Sequence, residues 1–363
     1  MFNSIASRYI PPLVSAFRAD WLIYAVVVAY VAIGSVIVLA AGGAPLGMLE
    51  SYARTWLVNF GIVAPLLTIF VGGVHITHRL DSRRRLAYRH MLAPDRVARF
   101  IAGTILMLTA GILFMSTFSA LKTAMPVGGF PYDVLQADID KLIHFGADPW
   151  RWLYAIGPQF WLQRLLEINY NSGWFVLCYG LLFWWATSFR ATARLRYFLT
   201  FFLVWVIVGN VLAYFCLSAG PAFYGRVTGD SARFGELLGY LRASHGEFSS
   251  STTYQAYLWW LHKGGNVGIG SGISAFPSMH VALITLNALF IGELSRRWGL
   301  VMWAFVGLIL VSSVYLAWHY AIDGYASIAI TTALYFAVKK LFPLLARLRW
   351  GSADPVPAGT ALS

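Results

Sequence analysis

Charged side chains are scarce in this chain of 363 residues. Asp, Glu, Lys and Arg together make up 12% of the sequence, whereas a typical soluble domain has about 25%. Apolar and aromatic residues reach 59%, above the about 45–50% that is usual for globular proteins. This composition excludes a soluble domain, a disordered chain and a coiled coil, and it predicts a protein that is solvated by lipid.

Cysteine is also rare. The sequence has two, Cys178 and Cys216, and both lie inside apolar runs. A disulfide framework and a cysteine metal cluster are therefore excluded. The net charge of +12 would suggest nucleic acid for a soluble chain. In a membrane protein, the distribution of this positive charge among the loops indicates instead on which side of the membrane each loop lies. We therefore expect no nucleic-acid partner.

Long apolar runs are abundant. A helix needs roughly 20 apolar residues to cross about 30 Å of hydrocarbon, and the sequence therefore predicts an all-α, polytopic membrane bundle of about eight transmembrane helices. The predicted spans are 21–42, 56–77, 98–118, 172–189, 197–217, 277–294, 299–317 and 320–342.

Basic residues alternate between the loops. Of the 27 Lys and Arg residues, two thirds fall at the termini and in every second loop. Because positive charge is enriched in cytoplasmic loops, both termini are predicted to be cytoplasmic. The two long connections, 119–171 and 218–276, are then on the outer side, where we expect the function.

These features predict four regions. They are transmembrane helices 1–3 in 1–118, an outer interfacial segment in 119–171, a core with its outer loop 218–276 in 172–342, and a disordered cytoplasmic tail in 343–363. The sequence suggests no clear task for the first three spans.

Two short polar segments stand at the outer ends of late spans. One is Ser274-Ala275-Phe276-Pro277-Ser278-Met279-His280 and the other is His319-Tyr320-Ala321-Ile322-Asp323. Ionisable groups at a membrane edge are costly and usually functional. A helical hairpin that runs inward from His280 for about 25 Å and returns over the same distance brings His319 to the same outer depth.

The residue types in these segments predict phosphoryl chemistry. His319 and Asp323 are four apart and share a helix face, so the carboxylate can orient the imidazole as a nucleophile. His280 is then the acid that protonates a leaving alkoxide. We expect two helix N-termini to form an anion site, and the Ser278 hydroxyl to donate to a phosphoryl oxygen. An alternative is a two-histidine, one-carboxylate metal site.

The two motifs resemble those of the type 2 phosphatidic acid phosphatase superfamily, in the forms Pro-Ser-x-His and His-x3-Asp. Their wording here is closer to the inositolphosphotransferase branch, which includes inositol phosphorylceramide synthase. The resemblance covers roughly 170–342. It implies a phosphohistidine intermediate on His319, polarised by Asp323, with His280 as acid and with no metal or cofactor.

Two cationic motifs of that superfamily are altered here. The region 218–226 lacks the Lys-x6-Arg-Pro motif, and Ser312 and Ser313 stand where a Ser-Arg pair is expected. We therefore expect other residues to hold the phosphate. The candidates are Arg226 with the nearby Tyr224, Lys263 beside a glycine-rich run, and Lys122 at the outer end of the third span.

The predicted function is transfer of a phospho-headgroup from a lipid donor to a lipid or polyol acceptor on the outer side of the membrane. Two alternatives stay open at this point. One is a phosphatase that hydrolyses phosphatidyl or polyprenyl phosphates, because it shares the first half-reaction. The other is a transporter whose histidines relay protons.

Overall fold

The computed structural model describes residues 2–79, 83–155 and 158–347, and it confirms the all-α class. The chain is 80% helical, and the described residues form no strand. Six helices within that part of the chain are long and apolar enough to cross a membrane. They are Trp21–Ala40, Leu49–Arg79, Pro94–Gly128, Ala191–Phe215, Arg296–Tyr315 and Ala321–Leu344.

Fifteen helical elements organise the described residues, and we number them in chain order. The first eight are α1 (Phe2–Ala19), α2 (Trp21–Ala40), α3 (Leu49–Arg79), α4 (Arg84–Met91), α5 (Pro94–Ala124), α6 (Asp133–Ile143), α7 (Pro149–Tyr154) and α8 (160–187). The others are α9 (Ala191–Phe215), α10 (Tyr224–Thr228), α11 (Gly235–Leu241), α12 (Ser251–Gly264), α13 (Met279–Leu294), α14 (Arg296–Tyr315) and α15 (Ala321–Arg347).

The number of spans stays a prediction. Helices α8 and α13 occupy the two remaining predicted positions, and α13 is an apolar helix of only 16 residues. Helix α1 was not predicted at all, and it precedes the first span. Residues 343–347 of the predicted disordered tail belong to the end of α15, and residues 348–363 lie outside the described part of the chain.

Helix α5 is the centre of the N-terminal half, and α1, α2, α3 and α8 pack against it. Small residues allow the closest approaches. A Cβ at Gly111 would lie 2.0 Å from the Trp56 ring, and one at Gly103 would lie 2.5 Å from the Ala186 carbonyl oxygen. Such small-residue contacts are the usual means by which membrane helices pack tightly.

A tight hairpin, α13–α14, is the centre of the C-terminal half, and α15 packs against it. Near the turn of this hairpin, a Cβ at Gly299 would lie only 2.6 Å from the Gly292 Cα. The two helices therefore touch through their backbones. They run from this contact to the opposite end of the hairpin, where α13 begins and α14 ends.

The two long connections, 119–171 and 218–276, are folded into short helices, and Arg233 is one of the side chains that link them. The Arg233 guanidinium donates to the Asp148 carboxylate over 2.9 Å, to the Asp138 carboxylate over 2.6 Å and to the Ala137 carbonyl over 2.7 Å. Because α6, the start of α7 and the segment before α11 meet at this side chain, the two connections pack against each other.

A buried ion cluster connects the start of α2 to the first turns of α5 and α9. Asp20 is 1% exposed and lies between Arg99 and Arg194, which are 4% and 2% exposed. Its carboxylate is 2.6 Å from Arg99 Nη2 and 3.0 Å from Arg194 Nη2. One carboxylate thus compensates two buried guanidinium groups from α5 and α9.

Replacing Asp20 with Asn should destabilise the bundle strongly. Breaking a buried ion pair by removing one partner costs about 3–5 kcal/mol, because the remaining charge is left buried without compensation. Thermal unfolding of the purified protein in detergent measures the effect. Asp95→Asn, at an exposed position of α5, is the matched control, and equal midpoints for the two variants would contradict the prediction.

Candidate active site

His319 and Asp323 form a hydrogen-bonded pair at the start of α15. The His319 Nδ1 atom lies 3.1 Å from Asp323 Oδ2, and the Tyr320 N–H donates to the same oxygen over 3.1 Å. The two side chains are 8% and 0% exposed. Because Nδ1 is engaged by the carboxylate, Nε2 is the ring nitrogen left for a substrate.

His280 is the second residue of α13, and two aromatic rings of α8 hold its imidazole. The Tyr170 ring stacks on it with centroids 4.4 Å apart and planes 12° apart, and the Trp174 ring lies 4.0 Å away. The Trp174 indole also donates to the His280 carbonyl over 2.9 Å. Ring orientation and backbone position are therefore fixed by one neighbouring helix.

The structure brings the N-terminal ends of α13 and α15 together. The Ser278 N–H donates to the Asp323 carbonyl over 3.3 Å, and the Ser278 hydroxyl oxygen caps α13 by accepting from the Val281 N–H. His319 interacts electrostatically with His280. The three residues predicted to be catalytic thus lie at one place, while their roles stay predictions.

The N–H groups at the two helix starts differ from the sequence-based expectation. At α15 they are occupied, since the Asp140 carboxylate accepts from Ala321 over 3.1 Å and from Ile322 over 3.0 Å. At α13 the Met279 and His280 N–H groups have no acceptor among the described residues. An anion can therefore be bound by backbone N–H groups at α13, but not at α15.

Sequence reasoning missed the acidic residues of α6. Asp133 and Asp140 are seven apart on one face of this helix and are buried. Asp133 accepts from the Ala219 and Gly220 N–H groups over 2.7 and 2.9 Å, and from the Tyr320 hydroxyl over 2.7 Å. The two carboxylates therefore hold the turn that carries His319.

Burial raises the pKa of both carboxyls, and the surrounding N–H and O–H donors lower it and offset part of that effect. These donors come from residues more than 80 positions away in sequence. The available signal was a pair of aspartates at helical spacing in a segment that otherwise looks interfacial. This spacing alone does not identify the N–H and O–H groups that donate to the two aspartates.

The three predicted phosphate-binding cations lie in different surroundings. Lys122 interacts electrostatically with His280 and packs against the loop before α13, where a Cβ at Gly272 would lie 2.6 Å from its Cγ. Arg226 is exposed and stacks over Trp259 at 4.9 Å. Lys263 is exposed in the last turn of α12. Lys122 is thus the predicted cation that the structure places beside a predicted catalytic residue.

The other predicted contacts near these cations have structural partners of their own. Arg226 lines a cleft of about 370 Å³ that Arg242 and His245 also line. Tyr224 is buried, with the Arg233 guanidinium 5.6 Å from its ring centre. In the glycine-rich run, Gly265 adopts φ +61° and ends α12, which is a usual role for glycine in the left-handed conformation.

A comparison with protein families identifies the family of this chain. The family model of the PAP2 superfamily matches residues 133–337, which is more than half of the chain. No curated protein and no solved structure gives a significant match. The matched region begins at Asp133, so it includes α6 as well as both histidine motifs.

Replacing Asp140 with Asn should lower turnover while leaving the substrate KM nearly unchanged. The amide keeps one acceptor oxygen but presents an NH2 group to the second N–H, and an unsatisfied buried donor costs about 1–3 kcal/mol. We expect kcat to fall about tenfold, which corresponds to 1.4 kcal/mol, because the turn before Asp323 loosens.

Steady-state kinetics and thermal unfolding of the same preparation separate positioning from loss of fold. Asp138→Asn on the same helix is the matched control, because this exposed carboxylate only pairs with Arg233 and surface pairs contribute little. A wild-type kcat in the Asp140 variant would show that the carboxylate does not position His319.

Proposed function

The chain belongs to the PAP2 superfamily, and from this membership and the geometry at His319 we propose a membrane-embedded lipid phosphotransferase. It moves a phospho-headgroup from a lipid donor to an alcohol acceptor, in the manner of the inositolphosphotransferase branch. The observation that carries the proposal is the 3.1 Å contact between His319 Nδ1 and Asp323 Oδ2 beside His280. The reaction needs no metal or cofactor.

In the first step, His319 Nε2 attacks the donor phosphorus. The bond from phosphorus to the lipid oxygen breaks, and that oxygen leaves as an alcohol after it takes a proton from His280. Asp323 stabilises the positive charge that develops on the imidazole of His319. The products of this step are a headgroup phosphoryl group bonded to Nε2, which keeps one ester bond to the headgroup, the released lipid alcohol and a neutral His280.

In the second step, an acceptor hydroxyl attacks the same phosphorus. Neutral His280 takes the hydroxyl proton, the bond from phosphorus to Nε2 breaks, and His319 regains its lone pair. Each histidine is thereby returned to its starting state. With water as acceptor the same residues would complete a phosphatase reaction, so the acceptor pocket decides between the two outcomes.

The phosphate is held by groups at the start of α13. The free N–H groups of Met279 and His280, the Ser278 hydroxyl and the Lys122 ammonium group provide the donors and the charge. Arg226, Tyr224 and Lys263 belong to the outer connection, and we assign the Arg226 cleft to the polar part of the donor or acceptor.

The low number of cations favours headgroup transfer over hydrolysis of a monoester. A phosphate monoester carries about −1.5 to −2 charge at neutral pH, whereas a phosphodiester headgroup carries one negative charge at its phosphate. Lys122 together with two N–H groups suits the smaller charge. Both the site and the long connections face the outer side in this proposal, and both termini face the cytoplasm.

Alanine variants of the two histidines should fail at different steps. His319→Ala removes the nucleophile, so it should abolish turnover of every donor. His280→Ala should retain a slow first step when the leaving group is already activated, because a nitrophenolate needs no proton. Stopped assays with a nitrophenyl phosphodiester measure the first step, and His90→Ala, at an exposed position of α4, is the control. Full activity of the His319 variant would overturn the mechanism.

The products distinguish transfer from hydrolysis. We expect purified protein, incubated with headgroup-labelled phospholipid and a panel of polyols and lipid alcohols that includes ceramide, to form a labelled transfer product. Lipid analysis by mass spectrometry measures it, and EDTA should leave the yield unchanged. Free phosphate or free headgroup phosphate in every reaction would instead assign a phosphatase, and a loss that added divalent cation restores would require a metal.

A further inference from the structure

An apolar groove with a volume of about 750 Å³ lies between α2, α5 and α9. Ligand pockets typically have about 300–1,000 Å³. No lining residue is Lys, Arg, His, Asp or Glu. Residues from all three helices contribute, among them Tyr30, Ile37, Leu121, Met125, Val211 and Phe215.

The groove has the length of one membrane leaflet. On α2 it extends from Tyr30 to Ala41, which is about 16 Å at 1.5 Å per residue. This is about half of the roughly 30 Å hydrocarbon thickness. The lining residues lie in the second half of α2, at the ends of α5 and α9 and in the residues just beyond these helices, so the groove lies toward the same end of the bundle as the starts of α13 and α15.

The groove lies next to the candidate active site on two sides. Asn210 lines it, and the preceding Gly209 packs against Met279, since a Cβ there would lie 3.1 Å from the Met279 sulfur. Leu121 lines it, and the next residue is Lys122. The helices α5 and α9 that line the groove therefore also contact the start of α13 or carry the phosphate-binding Lys122.

One polar pair interrupts the apolar lining. The Tyr30 hydroxyl donates to the Asn210 side-chain oxygen over 2.9 Å, and the Asn210 amide nitrogen has no hydrogen-bond partner among the described residues.

We propose that this groove binds a fatty-acyl chain of the phospholipid donor. The proposal rests on the proposed function, because the alcohol that leaves from phosphorus carries the acyl chains and takes its proton from His280. The groove adjoins the residue before His280. The acyl chains of the donor are attached to the alcohol that His280 protonates, so they start close to the groove. We therefore assign the groove to the donor rather than to the acceptor. Helices α2 and α5, which correspond to the first and third predicted spans, then form part of the substrate-binding site.

Gly128→Trp tests the groove at its rim. Gly128 lines it, and a Cβ there meets no atom within 4 Å, so an indole can fill the mouth without displacing the backbone. We expect the KM of a dipalmitoyl donor to rise about tenfold, which is 1.4 kcal/mol, while the KM of a dihexanoyl donor with the same headgroup stays the same. Val211→Trp should act similarly from α9.

Gly307→Trp is the matched control, because Gly307 is exposed on α14 and its Cβ would also meet nothing within 4 Å. Equal KM values for the dipalmitoyl donor in wild type, Gly128→Trp and Val211→Trp would reject the groove. A rise in the KM of a long-chain acceptor instead of the donor would overturn the assignment to the donor.

A binding measurement separates this proposal from the proposed function. A phospholipid with a diazirine on its acyl chain, used in vesicles of plain phosphatidylcholine, should label Ile37 and Val211 in wild type, and labelling should fall in Gly128→Trp but not in Gly307→Trp. Labelling that Gly128→Trp leaves unchanged would reject the groove. If labelling follows the expectation but no donor is turned over, the proposed function fails and the groove stands.

Discussion

The turn that carries His319 depends on two buried carboxylates from a different part of the chain. Asp133 and Asp140 accept four backbone N–H groups and one hydroxyl at 2.7–3.1 Å. Buried carboxylates persist only where such donors surround them. Helix α6 and the histidine turn therefore stabilise each other.

The parts of the site that were predictable depend on spacing within one hairpin. The 39 residues between His280 and His319 are a property of helix geometry and membrane thickness, so the sequence alone predicts a shared depth. The contacts of Asp133, Asp140, Tyr170 and Trp174 depend instead on how distant helices pack, and no local periodicity encodes that. The same reason explains why the occupied N–H groups of α15 were expected to be free.

The end of α5 shows how a boundary error affects a functional interpretation. The predicted span stopped at 118, whereas the helix continues to Ala124. Those extra turns extend the helix beyond the most apolar stretch, and they carry Lys122 to the start of α13. Lys122 therefore belongs to a packed helix end, unlike Arg226 and Lys263, which lie on the exposed surface of the outer connection.

The contact between Gly292 and Gly299 has a mechanical consequence. Because the backbones of α13 and α14 touch near the turn of the hairpin, the hairpin can open there only by losing that packing. Relative movement of the two helices is therefore a rotation about this contact. At about 1.5 Å per residue, His280 lies about 18 Å along α13 from Gly292, so a tilt of about 5° displaces it by roughly 1.5 Å. A small change of angle at the two glycines therefore becomes an atomic-scale displacement at the end of the hairpin that carries His280.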